Sequence, residues 1–174
     1  MNSISDVKFF VDLDDTLVDF AGGMRRIYKK YRPDVEHCNT KYELDPAYRD
    51  ESWNICEQYQ KDGGQLWYDL DLRHDAAELW MYVRQYEVEI LTATGDPSFG
   101  AIDQKLRWVA ENLCEKVKIN FTRRAAEKAQ YAAPNHILID DKEKAIDPWI
   151  DAGGIGILYT DTQDAIAQLR ELGL

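Results

Sequence analysis

The sequence contains no apolar run of about 18 residues, so no segment has the composition of a membrane-spanning helix. Internal repeats and low-complexity tracts are absent as well. The opening stretch MNSISDVKFF has no charged segment followed by an apolar core, which is the pattern of a secretory signal peptide. We therefore expect a cytoplasmic protein that has no membrane anchor.

Cysteine and histidine are scarce, with three residues of each. An odd number of widely separated cysteines argues against a disulfide framework, and the histidines form no HxxxH or similar cluster that would ligate zinc. We expect the cysteines to be reduced, structural thiols. The residues concerned are Cys38, Cys56, Cys114, His37, His74 and His136.

Positive charge is in deficit, because 21 basic residues against 32 acidic ones give a formal net charge of −11. This charge disfavours an extended grip on the phosphate backbone of a nucleic acid. It is compatible with a small anionic ligand, provided that the binding site is locally positive. With 174 residues, 45% of them hydrophobic, the chain can form one globular domain with a small inserted subdomain.

Short apolar runs alternate with helical patterns along the chain, which predicts an α/β fold with a parallel sheet sandwiched by helices. The five predicted strands are VKFFVD from Val7, VEILT from Val88, KVKINF from Lys116, HILID from His136 and IGILY from Ile155. Residues 20–72 lack a strand pattern. We expect this interval to form a helical cap inserted into a catalytic core made of residues 1–19 and 73–174.

Two helices that cover the sheet are predicted from apolar periodicity. Spacings of four, seven, eight and eleven residues predict a buried face on the first helix, and a repeat of three predicts one on the second. The first face comprises Ile102, Leu106, Val109, Ala110 and Leu113, and the second comprises Ile166, Leu169 and Leu172.

Acidic residues follow two of the predicted strands. Asp12 and Asp14 are two positions apart and point to the same side at the end of the first strand, and Asp140 and Asp141 end another strand. Ligands of open parallel sheets bind at this carboxyl edge. Although an isolated acidic pair is common in turns and helix caps, two pairs at equivalent strand ends favour a divalent cation, and oxygen ligands suit Mg²⁺.

The segment VDLDDT resembles the DxDxT signature of the haloacid dehalogenase superfamily of phosphatases. Three further elements follow in the order typical of that superfamily: a strand ending in Thr92, then Lys128, then the acidic ILIDD. Within the superfamily, VDLDDTLVDFAGGMRR and the helical insertion after it resemble the 5′(3′)-deoxyribonucleotidase group, whose cap also follows the first strand.

The resemblance implies a phosphatase mechanism. Asp12 would be the nucleophile that forms an aspartyl-phosphate, and Asp14 would be the general acid and base. Mg²⁺ would be held by the Asp12 side chain, the main-chain carbonyl of Asp14 and Asp141, with Asp140 in support. Thr92 and Lys128 would hold the phosphoryl oxygens.

The cation that contacts phosphate is open to alternatives, because Lys105 and Arg123 compete with Lys128 for this role. Arg123 lies in FTRR, where deoxyribonucleotidases have a similar TRDK segment, but here Lys128 follows five residues after Arg123 rather than two. A second departure is TATGDP after the second strand, where the group has TSP. Taken alone, Thr92 is also compatible with an ordinary strand position and Lys128 with a solvated helix position.

Substrate selection is expected to reside in the insertion, because a cap that closes over a site contacts what lies beyond the phosphate. Its candidate aromatic surfaces are Phe20, Trp53, Trp67 and Tyr68, with core packing as the alternative. Phe20 is favoured, because it lies only six residues beyond Asp14. Asp15 and Asp19 are expected to be turn or cap residues.

The predicted function is that of a Mg²⁺-dependent phosphomonoesterase acting on a small molecule. A nucleoside monophosphate is the favoured substrate. A polynucleotide 3′-phosphatase and another small-molecule phosphatase are the enzymatic alternatives. A response-regulator receiver would be a non-enzymatic one, but receivers place the acidic pair first and the lysine last. Dehalogenation is disfavoured, because a halide leaving group needs no acid such as Asp14. The oligomeric state is not predicted.

Overall fold

A computed structural model describes residues 7–34, 46–95, 100–113 and 116–174 of the chain. For residues 46–50 it describes the backbone alone. Two of the expected thiols, Cys38 and Cys114, and part of the TATGDP segment lie outside the described residues. Cys56 is a buried free thiol. No helix within the described ranges is long and apolar enough to cross a membrane.

The fold is built on a five-stranded parallel sheet with the order β3-β2-β1-β4-β5. All five predicted strands are confirmed, and each predicted end lies within two residues of the observed one. The strands are β1 Lys8–Val11, β2 Glu87–Ala93, β3 Lys118–Thr122, β4 His136–Asp140 and β5 Ile155–Leu158. Because β1 is central, the residues that follow it lie in the middle of the carboxyl edge of the sheet.

Helices flank both faces of the sheet, as the sequence predicts. Alternate residues of β1 face opposite sides, so that Phe9 and Val11 belong to one hydrophobic cluster and Phe10 belongs to another, which includes Trp149. The helices are α1 Phe20–Tyr31, α2 Pro46–Lys61, α3 Ala76–Val83, α4 Ala101–Asn112, α5 Glu143–Asp151 and α6 Thr162–Glu171, with a 3₁₀ helix at Ala125–Tyr131.

The chain leaves the sheet after β1 and returns to the same place. The Asp19 N–H donates to the Asp71 carbonyl at 2.9 Å, and the Arg73 N–H donates to the Leu17 carbonyl at 2.9 Å. In the segment between these two hydrogen-bonded pairs, α1 packs against α2. Gly23 of α1 lies so close to the Leu70 side chain that a β-carbon at Gly23 would overlap it. The ends of the insertion therefore adjoin the residues that follow β1.

The helix α4 forms where it was predicted and Val109 is buried as expected, but the predicted buried face is wrong at Ile102 and Leu106. Ile102 is 43% exposed and Leu106 is 42% exposed. The buried face is shifted by one position along the helix, so that Lys105 and Trp108 point inward. The physical reason is that Lys105 forms an ion pair beneath the helix and Trp108 donates its indole N–H to the Leu70 carbonyl at 2.8 Å.

The helix α6 differs less from its prediction. Ile166 and Leu169 are buried, whereas Leu172 is exposed. The helix ends at Glu171, one residue before Leu172, so the repeat of three extends beyond the segment that packs on the sheet.

Candidate active site

The predicted site residues lie at the carboxyl edge of three adjacent strands. Asp12 directly follows the central strand β1, Thr92 lies near the end of β2, and Asp140 ends β4. The Asp12 N–H donates to the Ile139 carbonyl at 3.0 Å, which continues the pairing of β1 with β4. Parallel pairing therefore places Asp12 beside Asp140, which follows it by 128 residues in the sequence.

Lys128 connects the two acidic segments. Its Nζ lies 2.7 Å from Asp12 Oδ1 and 2.5 Å from Asp140 Oδ2, and all three side chains are buried. Burial acts to raise the pKa of Asp12, but the neighbouring ammonium groups, above all Lys128, hold it below its ordinary value. Burial acts to lower the pKa of Lys128, yet Asp12 and Asp140 hold it above its ordinary value. Lys128 is thus a fixed cation rather than a solvated helix charge.

Three carboxylates form a cluster that fits a metal ion. Oxygen atoms of Asp12, Asp140 and Asp141 all lie within 4.8 Å of one another. Burial, and next the negative charge of Asp12, raise the pKa of Asp140 to about 6 and that of Asp141 to about 8. Carboxylates this crowded are stabilised in their ionised form by a nearby cation, and a donor set made only of oxygen suits Mg²⁺.

Lys105 forms a second cationic contact on the other side of β1. Its Nζ lies 2.7 Å from Asp14 Oδ2, 2.9 Å from Thr92 Oγ1 and 3.0 Å from the Ala93 carbonyl. The side chain is 2% exposed and passes over the Trp67 ring, with its Nζ 5.9 Å from the ring centroid. Asp14 and Thr92 are therefore held together by one ammonium group.

Asp14 is more accessible than Asp12. Its side chain is partly open to solvent, and Asp14 Oδ1 has no hydrogen-bond partner among the described residues although the atom itself is buried. One oxygen is thus paired with Lys105, and the other, although covered, has no partner among the described residues with which a ligand would have to compete. This arrangement is suited to proton exchange with a ligand.

Arg123 follows β3 at the same edge of the sheet. Its carbonyl accepts the Gly95 N–H at 3.2 Å, and its own N–H donates to Glu127 Oε2 at 2.9 Å. The side chain is exposed, and its guanidinium group makes no hydrogen bond or ion pair within the described part of the chain. The structure thus brings Lys105 and Lys128 to the acidic groups and leaves Arg123 at the rim.

The aromatic residues of the insertion have different surroundings. Phe20 is the first residue of α1 and is only partly buried, and Trp53 packs half-buried against the hydrophobic core. Trp67 is 5% exposed and belongs to that core, so it presents no open ring face to a substrate. The Tyr68 ring is covered by Arg107 at 4.0 Å, and its hydroxyl donates to Glu111 Oε2 at 2.6 Å.

Two residues carry more of the site than the sequence indicated. Lys105 was only a competitor for phosphate binding, and the signal that would identify it is its position on the same helical face as Trp108 and Val109. Asp15 lies in a turn and caps α1, as expected, but its burial directly beside Asp14 was not predicted. Asp19 caps α1 as expected, because its carboxylate accepts the Gly22 N–H at 3.0 Å.

Solved structures of haloacid dehalogenase-like hydrolases have a similar fold. One from Streptococcus pneumoniae is 18% identical, with 94% of this chain and 90% of that chain covered and a TM-score of 0.57. One from Xanthomonas campestris is 13% identical, with coverages of 99% and 94% and a TM-score of 0.61. One from Deinococcus radiodurans, solved with bound phosphate and sodium, is 17% identical, with coverages of 97% and 88% and a TM-score of 0.58.

No protein-family model matches the sequence, and no curated protein matches it. The identities to the solved structures are low, so the similarity is one of fold. The five-stranded parallel sheet with its flanking helices is the fold of haloacid dehalogenase-like hydrolases, as the DxDxT resemblance predicted.

Proposed function

We propose that the chain is a Mg²⁺-dependent phosphomonoesterase that acts through an aspartyl-phosphate and takes nucleoside monophosphates as substrates. The observation that carries this proposal is the pairing of two carboxylates with two different buried lysines. Asp12 contacts Lys128 and Asp14 contacts Lys105, each at 2.7 Å, at the carboxyl end of the central strand. Such a pair of carboxylates can divide nucleophilic attack and proton transfer between them.

The metal would be held by Asp12, Asp141 and the main-chain carbonyl of Asp14, with Asp140 in support. Asp140 is itself held in place by Lys128 and by the Lys142 N–H, which donates to Asp140 Oδ1 at 2.9 Å. When bound, Mg²⁺ would shield the substrate phosphate from the surrounding carboxylates.

In the first step, a carboxylate oxygen of Asp12 attacks phosphorus. A bond forms between that oxygen and phosphorus, and the bond between phosphorus and the ester oxygen breaks. Asp14 gives its proton to the departing oxygen, so the alcohol leaves in neutral form. General acid catalysis of this kind typically contributes about 10²- to 10⁴-fold to the rate.

In the second step, a water molecule attacks the aspartyl-phosphate. Asp14 accepts a proton from this water, the bond between phosphorus and Asp12 breaks, and inorganic phosphate is released. Both carboxylates then have their original protonation states. The partial exposure of Asp14 is consistent with this exchange, because leaving group and water must both reach it.

Thr92, Lys105 and Lys128 would hold the phosphoryl oxygens. Phosphoryl transfer depends mainly on positioning and on neutralising charge at these oxygens, and the buried ammonium groups lie on opposite sides of β1. Arg123 stays a candidate for a contact at the rim. Lys105 is favoured over Arg123, because its ammonium group already contacts both Asp14 and Thr92.

The nucleotide assignment rests on the resemblance of VDLDDTLVDFAGGMRR to the deoxyribonucleotidase group and on Phe20, which begins α1 near the site. Trp53 is a further candidate contact from the insertion. Trp67 supports the site from below, because it packs beneath Lys105. Polynucleotide 3′-phosphatase and general small-molecule phosphatase activity are the alternatives, as is a receiver-like phospho-acceptor without turnover.

A phosphate-release screen tests the proposal. The panel comprises ribonucleoside and deoxyribonucleoside monophosphates, sugar phosphates and 3′-phosphorylated oligonucleotides, with Asp12→Asn as the inactive control. The proposal predicts the highest kcat/KM for a nucleoside monophosphate. The highest value for a 3′-phosphorylated oligonucleotide would establish the polynucleotide alternative, and phosphorylation without turnover would establish the phospho-acceptor alternative.

A further inference from the structure

Asp15 occupies an unusual position next to the proposed general acid. Its φ is 59°, a left-handed conformation that aspartate adopts more readily than most residues other than glycine. The side chain is only 4% exposed. Asp15 Oδ1 accepts the Ala21 N–H at 2.8 Å, so one half of the carboxylate caps the first turn of α1.

The other half of this carboxylate has no such partner. Asp15 Oδ2 is buried and accepts no hydrogen bond from any described residue. A buried carboxylate oxygen without a donor is costly, because it has lost its hydration. Such an atom requires a donor, and the described residues do not supply one, because the Ala21 N–H is already engaged by Oδ1.

The surroundings of Asp15 indicate where that donor is to be found. Asp15 directly follows Asp14, whose main-chain carbonyl is a proposed metal ligand, and it also interacts electrostatically with Asp141 and Lys142. Mg²⁺ binds through few protein carboxylates and keeps several water molecules, whose hydrogens need acceptors. Acceptors of this outer shell orient the ligands and contribute to metal affinity.

We propose that Asp15 Oδ2 accepts a hydrogen bond from a water molecule bound to Mg²⁺, so that Asp15 belongs to the outer shell of the metal site. The inference rests on the metal site of the proposed function. Because Asp15 Oδ1 caps α1, one carboxylate would then join the metal to the start of the insertion. Asp15 is a positioning residue in this arrangement, as it contacts neither the phosphate nor the reacting oxygen atoms.

The test measures binding of Mg²⁺ alone by titration calorimetry, together with the Tm of each metal-free protein. Asp15→Asn keeps an oxygen that can accept the Ala21 N–H, and asparagine tolerates positive φ. With that oxygen facing Ala21, an amide nitrogen stands in place of Oδ2 and the negative charge is lost. Asp19→Asn is the matched control, because Asp19 also caps α1 and carries the same charge, but its side chain is 36% exposed. Asp15→Gly fits φ of 59° without strain and serves if the asparagine variant does not fold.

We expect Asp15→Asn and Asp15→Gly to bind Mg²⁺ about 10- to 100-fold more weakly than the wild type. Asp19→Asn should stay close to the wild type, because salt screens an exposed charge. Wild-type affinity in both Asp15 variants would overturn the inference and leave the metal site intact, even if their Tm values fell. Absence of Mg²⁺ binding by the wild type would overturn the metal site and this inference together.

Discussion

Lys105 Nζ lies 2.7 Å from Asp14 Oδ2, although 91 residues separate the two in the sequence. The same ammonium group lies 2.9 Å from Thr92 Oγ1, so α4 is connected to the ends of both β1 and β2. In the proposed mechanism, Asp14 exchanges protons while Thr92 holds a phosphoryl oxygen. Lys105 would therefore link the proposed acid-base group to the proposed phosphate-binding residue.

Replacing Lys105 should impair catalysis strongly. Lys105→Met removes the ammonium group and keeps an aliphatic chain over Trp67, and we expect kcat/KM to fall about 10²- to 10³-fold, as for the loss of one preorganised donor to a developing charge. Arg107→Met is the matched control on the same helix, because Arg107 is exposed and stacks on Tyr68. Equal phosphatase activity in the two purified, folded variants would show that Lys105 has no role in catalysis.

Mg²⁺ should both activate and stabilise the protein. A ligand that binds only the folded state at 100 times its Kd adds about 2.7 kcal/mol to the free energy of unfolding. We expect chelation to abolish phosphate release and lower Tm, and added Mg²⁺ to restore both. Asp141→Asn should show a much smaller rise in Tm with Mg²⁺. Full activity after exhaustive chelation would contradict the metal requirement.

Phe20 should contribute to recognition of the base. If its ring stacks on the base, Phe20→Ala should lose about 1 to 3 kcal/mol, which corresponds to a fall of about 5- to 150-fold in kcat/KM for a nucleotide. Deoxyribose 5-phosphate has the same reacting end without a base and should be affected less. An equal loss on both substrates, with the fold retained, would show that Phe20 is not a base platform.

Trp67 provides the contrast to Phe20, because it lies in the core. Truncation of a buried aromatic side chain costs about 3 to 5 kcal/mol, so Trp67→Ala should lower Tm sharply. Any loss of activity should then be similar for a nucleotide and for deoxyribose 5-phosphate. A selective loss on the nucleotide would instead place Trp67 at the base.

Asp75 should make stability depend on pH in the acid range. It accepts hydrogen bonds from the Tyr159 hydroxyl at 2.9 Å, the Thr162 N–H at 3.1 Å and Arg73 Nε at 3.2 Å. Burial acts to raise the pKa of Asp75, but these donors together hold it below its ordinary value. A lowered pKa in the folded state means that ionised Asp75 stabilises the fold above about pH 4 and that this contribution is lost as the pH falls through the folded pKa.

The measurement is the free energy of unfolding of wild type and Asp75→Asn from neutral pH downward. Above about pH 4 the difference between the two proteins should be constant, and it should shrink as the pH is lowered further. The other carboxylates titrate in both proteins, so the difference isolates Asp75. A difference that grows toward acid pH would contradict the assignment.

The sheet and its acidic edge could be predicted from the sequence because both depend on local patterns. Apolar runs define buried parallel strands, and a residue such as Asp12 or Asp140 directly after a strand lies at its carboxyl end regardless of the rest of the chain. The predicted division into core 1–19 and 73–174 and cap 20–72 stays a prediction. The hydrogen bonds that join Asp19 to Asp71 and Arg73 to Leu17 indicate where its boundary would lie.

The inward face of α4 could not be predicted from apolar spacing. Apolar periodicity treats every lysine as a polar, exposed residue. Lys105 was therefore assigned to the exposed face, and Ile102 and Leu106, which are exposed, were assigned to the buried one. Only the fold brings Asp14 beneath the helix and so makes burial of Lys105 favourable. The burial of Asp15 was missed for a similar reason, because an aspartate after DxD is also typical of a turn.

Asp12 should become phosphorylated during turnover. Asp14→Asn, supplied with p-nitrophenyl phosphate, is the protein to test, because this substrate needs little protonation of its leaving group while water attack still lacks its base. We expect mass spectrometry of the acid-quenched protein to find one phosphoryl group on the peptide that carries Asp12, and none on that peptide in the double variant that also carries Asp12→Asn. A phosphoryl group on another residue, or turnover by Asp12→Asn at the wild-type rate, would contradict it.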